Sequence, residues 1–212
     1  MIEIDYIFEV EHHLDGIDGV IFDLDDTLYS EKDYVRSGYR EVAKAFPHIH
    51  EMDKKLWKAF EKGQKAFDEV FTSEGLLTEE NLSKAIDVYR NHKPDIRLYD
   101  GVWEMILRLK KNGKKIGMIT DGRPEGQWAK IESLGIKNLF DEIIITDELG
   151  GIEYRKPNET AFVRMSERLR ISYSRLIYVG DNINKDFISP EKLGMQSCYF
   201  ENVDGLYYKN TF

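Results

Sequence analysis

From Lys115 to Phe200 the chain repeats one pattern, a short continuous apolar segment followed by a helix-length amphipathic one. The apolar segments are KIGMIT (115–120), EIIIT (142–146), RLIYVG (175–180) and MQSCYF (195–200), with helical stretches at about 124–134, 158–170 and 185–193 between them. A segment of the same kind, residues 17–23 with Val20, Ile21 and Phe22, lies far upstream, and a helix over Val102–Lys111 ends at Asn112-Gly113. Short runs rich in Ile and Val that are apolar on both faces belong to fully covered strands. Strands alternating with helices build a parallel sheet through right-handed crossovers. The expected fold class is α/β.

Residues 31–93 interrupt the alternation with helices alone. Val35, Tyr39, Val42 and Phe46 recur at helical spacing after a capping pattern at Ser30–Asp33. Met52, Leu56, Phe60, Phe67 and Phe71 predict a second, longer helix, and Leu82, Ile86 and Tyr89 a third, capped by Thr78. Aromatic stripes at this spacing predict the core of a small bundle. The expected organisation is a core domain, 1–30 and 94–212, with a helical domain, 31–93, hinged near Tyr29-Ser30 and Pro94-Asp95. Residues 2–8 alternate apolar and acidic, the period of a half-buried strand. Such a strand could sit at a sheet edge, at an oligomer contact or in the remnant of a fusion.

A formal charge of −9, from 30 basic and 39 acidic residues, argues against a nucleic-acid partner, which requires Lys and Arg to neutralise phosphates. No apolar run reaches the ~20 residues of a membrane span. The acidic, alternating start MIEIDYIFEV is unlike a secretory signal, so a reducing cytoplasm is the default expectation. The single cysteine, Cys198, reads as a small apolar residue of its strand.

In an open α/β sheet, ligands bind where loops converge at the carboxyl ends of the strands. Here the first buried strand runs into Asp23-Leu24-Asp25-Asp26 and the second ends in Thr120-Asp121-Gly122. The fourth ends in Gly180-Asp181-Asn182, with Asp186 shortly after, and Lys156 precedes the helix that leads to it. Taken singly, these acids are helix caps or turn formers, Thr120 is a strand residue and Lys156 a solvated charge. Four such segments gathered at one rim point instead to a site. The like charges of Asp23, Asp25 and Asp26 repel one another, and something in the rest of the chain or its ligands has to compensate them.

In these four segments the chain resembles the haloacid dehalogenase superfamily of phosphotransferases, over roughly residues 17–200. Asp23-Leu24-Asp25-Asp26-Thr27 fits that family's first motif, Thr120 its second, Lys156 its third, and GDNINKD with Asp181 and Asp186 its fourth. The insert at 31–93 matches the family's helical type 1 cap. The resemblance implies a Rossmann-like core and Mg²⁺ held by the Asp23 carboxylate, the Asp25 backbone carbonyl and Asp181, with Asp186 and Asn182 supporting from behind. It further implies Asp23 as nucleophile, attacking phosphorus to give an aspartyl-phosphate, and Lys156 as the cation that keeps Asp23 ionised. Thr120, with the turn at Asp121 and Gly122, would hold the transferring oxygens.

Asp25 would act as general acid and then base, its pKa pushed up by neighbouring negative charge. The family's dehalogenase branch lacks an acid two positions after the nucleophile, so phosphatase chemistry is expected. Asp26 reads as a turn or capping residue, and Arg123 as either a substrate contact or a surface arginine. The five histidines, His12, His13, His48, His50 and His92, fall outside the motifs. The implied function is a Mg²⁺-dependent phosphatase acting on a small phosphorylated metabolite. The alternatives are a sugar phosphomutase of the same family or a non-catalytic binding module derived from it.

Overall fold

Gly19–Phe22, buried at all four residues, is the strand around which the sheet is ordered. The computed structural model describes residues 1–206 and 208. Among them the strands are β1 (Ile2–Ile4), β2 (Gly19–Phe22), β3 (Lys115–Thr120), β4 (Glu142–Ile145), β5 (Leu176–Gly180) and β6 (Gln196–Phe200). The eight α-helices are α1 (Glu31–Ala45), α2 (Met52–Glu61), α3 (Ala66–Ser73), α4 (Glu79–Asn91), α5 (Val102–Lys111), α6 (Pro124–Ser133), α7 (Thr160–Leu169) and α8 (Ile188–Leu193). The sheet order is β1-β6-β5-β2-β3-β4 and every pairing is parallel. The chain leaves β2 for β3 on one side and later returns to its other side as β5. That reversal places the crevice at the carboxyl end of β2. Ile21, Ile119, Ile144, Phe162, Met165 and Tyr178 form a core of this α/β part.

The chain divides into two compact units, one comprising Met1–Glu31 and the chain from Arg97 on, the other Lys32–Ile96. The second unit is all helical, with a core of Tyr39, Phe46, Leu56, Val70 and Phe71. Thr78 Oγ1 accepts the Asn81 N–H at 3.1 Å, satisfying one of the free amides at the start of α4.

Two elements depart from expectation. The long second helix is two, α2 and α3, separated at Gly63, which adopts a left-handed φ of 67°. The Gly63 and Gln64 amides turn back to the Phe60 and Ala59 carbonyls at 2.9 and 3.0 Å, closing α2. Phe60 and Phe67 are seven residues apart, so their stripe stays in register across the break and hides it. The N-terminal strand stops at Ile4, and residues 7–13 wind into a 3₁₀ helix. The Glu9 carboxylate accepts the Asp5 and Tyr6 amides at 3.0 and 3.2 Å, ending the extended run. What remains is an edge strand, with Ile2 opposite Cys198 and Ile4 opposite Phe200.

Candidate active site

The ladder continues one residue past β2, with the Asp23 amide donating to the Val179 carbonyl at 2.9 Å. Asp23 is thereby fixed at the strand end. The chain then turns sharply: Leu28 N–H bonds the Leu24 carbonyl at 3.0 Å, and Asp26 takes a left-handed φ of 52°. The Asp26 carboxylate accepts the amides of Glu31 at 2.8 Å and Leu206 at 2.7 Å, so it serves the turn and the start of α1. At the end of β5 a side chain on Gly180 would bring Cβ to 2.5 Å from Asp186 Oδ2. Glycine there lets Asp186 fold back beneath the strand end.

Lys156 is the centre of the arrangement. Its fully buried ammonium lies 2.7 Å from Asp23 Oδ1 and 2.8 Å from Asp186 Oδ1, and it donates to the Tyr178 hydroxyl at 2.9 Å. Burial disfavours the ammonium, but Asp186 and Asp23 outweigh it and hold its pKa well above the usual lysine value. Asp186 Oδ2 accepts the Asn182 amide at 3.0 Å, so both its oxygens are engaged by protein. Asp121 accepts the Lys156 amide and the Thr146 hydroxyl, each at 3.0 Å, and meets Lys185 Nζ at 2.9 Å.

Carboxylate oxygens of Asp23, Asp181 and Asp186 all lie within 4.8 Å of one another. Thr27 Oγ1 reaches Asp181 Oδ1 only at 3.4 Å, too far to offset a buried charge. Burial, and then Asp23, push the Asp181 pKa well above the ordinary carboxylate value. Burial likewise raises Asp23 to about 7, against the pull of Lys156 and with Asp186 adding to the rise. Five aspartates (Asp23, Asp25, Asp121, Asp181 and Asp186) face three lysines (Lys130, Lys156 and Lys185). Excess buried negative charge with oxygen donors converging on one point is the donor chemistry of a hard divalent cation. Asp23, Asp181 and Asp186 are the residues that could hold it, Asp23 and Asp186 each with one oxygen facing Lys156.

Asp25 differs from expectation. Burial does raise its pKa, but the ion pair and hydrogen bond from Lys130, with the Tyr29 hydroxyl and the Gln127 amide, reverse the sign and leave it below the usual value. Lys130 Nζ is 2.7 Å from Asp25 Oδ1 and Gln127 Nε2 is 2.9 Å from Oδ2, while the Tyr29 hydroxyl donates to Oδ1. The neighbouring acids count for less because a lysine stands closer.

A family model described as haloacid dehalogenase-like hydrolase matches residues 20–200. The chain belongs to this family. Haloacid dehalogenase-like hydrolases use a divalent metal, consistent with the aspartate cluster. The chain is 32% identical over 193 residues to a glyceraldehyde 3-phosphate phosphatase of Methanocaldococcus jannaschii, covering 84% of this chain and 82% of that protein. A glyceraldehyde 3-phosphate phosphatase of Methanopyrus kandleri is 28% identical over the same shares. Among solved structures, the HAD-hydrolase YfnB of Bacillus subtilis, bound to magnesium, superposes with a TM-score of 0.65 at 20% identity, over 86% of each chain. The expectation of a phosphoric monoester hydrolase agrees with these relatives.

In this haloacid dehalogenase-like site a cavity of about 330 Å³ is lined by Asp23, Asp25, Glu31, Asp121, Arg155, Lys156, Asp181, Asn182 and Lys185. Thr120 lies behind the lining, fully buried, its hydroxyl accepting from Gln127. Gly122, at φ 139°, packs beside the Gln127 side chain. Arg123 is not among the lining residues, whereas Arg155, paired with Asp147 through two bonds of 2.7 Å, is. Burial pushes the Cys198 thiol up to about 12, leaving it protonated and inert at neutral pH.

Sequence reasoning missed Lys130, Gln127, Tyr29, Lys185, Arg155 and Glu31. A signal existed for two of them. On α6, Gln127, Lys130 and Ile131 are buried together, so polar residues occupy stripe positions where a surface helix would carry apolar ones. No helix among the described residues is long and apolar enough to cross a membrane.

Proposed function

We propose that this chain is a magnesium-dependent phosphatase of small phosphate monoesters, with three-carbon sugar phosphates such as glyceraldehyde 3-phosphate foremost. The observation carrying the reading is the buried Lys156 bridge between Asp23 and Asp186, beside an Asp181 that burial and then Asp23 push well above the ordinary carboxylate pKa. The named relatives supply the substrate class. The cavity fits it, because every lining side chain is polar and none is a ring on which a nucleobase could stack.

Asp23 Oδ attacks phosphorus in line, the ester P–O bond breaks, and the phosphoryl group stays on Asp23. Asp25 gives a proton to the leaving alkoxide, then takes one from the water that attacks the phosphoryl group and releases inorganic phosphate. Asp25 acquires its proton as the anionic ester settles beside it, since a neighbouring like charge favours the neutral carboxyl. Lys156 holds the Asp23 oxygen and offsets charge on the phosphoryl group. Asp23, the Asp25 carbonyl and Asp181 would hold Mg²⁺, which when bound neutralises equatorial phosphoryl oxygens. The inserted helical unit is proposed as the cap that selects among such esters.

A panel of phosphorylated metabolites with Mg²⁺ tests this. Phosphate release by the parent, abolished by EDTA and restored by excess Mg²⁺, is expected. Asp23→Asn should lose at least ~10³-fold in kcat, the scale of removing a nucleophile. Equal turnover by parent and variant rejects Asp23, and indifference to chelation rejects the metal.

A further inference from the structure

Asp25 stands on the turn after β2, outside the sheet, in an isolated bridge with Tyr29. Its carboxylate is nevertheless gripped on both oxygens. Lys130 Nζ at 2.7 Å and the Tyr29 hydroxyl meet Oδ1, and Gln127 Nε2 meets Oδ2 at 2.9 Å. Gln127 and Lys130 are three residues apart on α6 and so share one face of that helix. The Gln127 side-chain amide has two hydrogens, and it also donates to Thr120 Oγ1. One residue thus ties the acid after β2 to the hydroxyl that ends β3.

Burying a lysine is costly unless something requires it, and the Lys130 side chain is only 7% exposed. The Asp25 side chain keeps 19% exposure, and Asp25 lines the cavity. The donors therefore fix the carboxylate's orientation without closing it off. We infer that Gln127 and Lys130 of α6, with Tyr29, are positioning residues that clamp Asp25 at the angle from which it exchanges a proton with the leaving group. This inference rests on the phosphatase reading above. Neither α6 residue lines the cavity that Asp25 lines, so both act through Asp25.

The prediction separates proton transfer from everything else. An alkyl phosphate such as glyceraldehyde 3-phosphate leaves as a basic alkoxide that needs Asp25's proton. The p-nitrophenolate of p-nitrophenyl phosphate leaves without one. With Mg²⁺ present, Gln127→Leu and Lys130→Met should each lower kcat on the alkyl ester by about 10²-fold, the scale of a small misplacement of a reacting group. For p-nitrophenyl phosphate the loss should stay within about threefold in the first-turnover burst of p-nitrophenolate, which reads formation of the aspartyl-phosphate alone. The later water step needs Asp25 for either ester and slows steady-state turnover of both. Tyr29→Phe, which deletes one hydroxyl and keeps the ring, should show the same split more weakly, and it decides the question if the α6 variants fail to fold. Lys130→Arg, which keeps a cationic donor, should restore part of the alkyl-ester rate. Equal losses on the two esters in the first turnover would reduce the clamp to ordinary structural support, and unchanged rates would remove it. A parent inactive on both esters would instead sink the phosphatase reading, and the clamp's purpose with it.

Discussion

The two units treat charge in opposite ways. In the helical unit, ion pairs lie at the surface: Arg36–Asp33, Lys44–Glu41 and Lys54–Glu51 all keep between 38% and 72% of their side chains exposed. Its interior is aromatic, with Phe46 and Phe71 ring to ring at 5.0 Å and Tyr39 and Phe67 at 5.8 Å. The α/β unit also has surface pairs, but it buries Lys156 with Asp186 at 0% exposure and Lys130 at 7%. Buried ion pairs seldom stabilise a fold better than apolar packing would. A chain that keeps several at one strand end, in a unit with ample apolar core, keeps them for chemistry. The contrast agrees with the proposal that the chemical step belongs to the α/β unit, and the helical unit's buried residues are there for packing.

The sharpest way to break the contrast is to remove the shared cation. Lys156→Met should destabilise the α/β unit by about 3–5 kcal/mol, because it strands two buried carboxylates, and it should abolish phosphate release. Urea unfolding measures the first and the metabolite panel the second. A variant as stable as the parent would mean that Asp23 and Asp186 had simply taken up protons at no cost.

In the helical unit the equivalent blow is apolar. Leu56 is fully buried, and Leu56→Ala should cost about 3 kcal/mol through lost transfer energy and the cavity left behind. Calorimetry should show that loss while Mg²⁺ affinity of the folded protein stays at the parent's value. A parallel fall in metal affinity would erase the distinction between the units.

Legibility in the sequence follows the same division. The strands from β2 to β6 were readable because burial on both faces leaves unbroken apolar runs, and Asp23, Lys156, Asp181 and Asp186 because each sits at a strand end or in a motif. The α2–α3 break was not, since Phe60 and Phe67 keep helical phase across Gly63. Lys130 and Lys185 were not, because a lysine on a helix or loop looks the same in sequence whether it meets solvent or a carboxylate. The sign of the Asp25 shift failed for that reason: it depends on Lys130, which is 105 residues away in the chain.

Glu31 sharpens the comparison through pH. Burial, and then the charge of Asp25, push its carboxyl up to about 8 from an ordinary 4.5. A raised carboxyl holds its proton more tightly when folded, so its contribution to stability is complete below about 4.5 and is lost as pH rises through about 8. Glu31→Gln, which stays neutral, should gain on the parent across that window in metal-free protein and match it at acid pH. Parallel stability curves for parent and variant would show that Glu31 ionises freely in its cavity.

The smallest effect belongs to the surface pairs, and it is the one that the contrast most requires. Lys44 and Glu41 lie 2.6 Å apart on α1, one turn separated, with the lysine side chain 71% exposed. Water screens such a pair and holding two long side chains costs entropy, so pairs of this type contribute about 0.5 kcal/mol or less. Lys44→Ala should therefore leave the urea midpoint nearly unchanged at low salt, and still less altered at high salt, where the Debye length shrinks. A loss comparable to that of Lys156→Met would show that charge in the helical unit is structural after all. The buried lysines of the α/β unit would then lose their standing as the mark of a site.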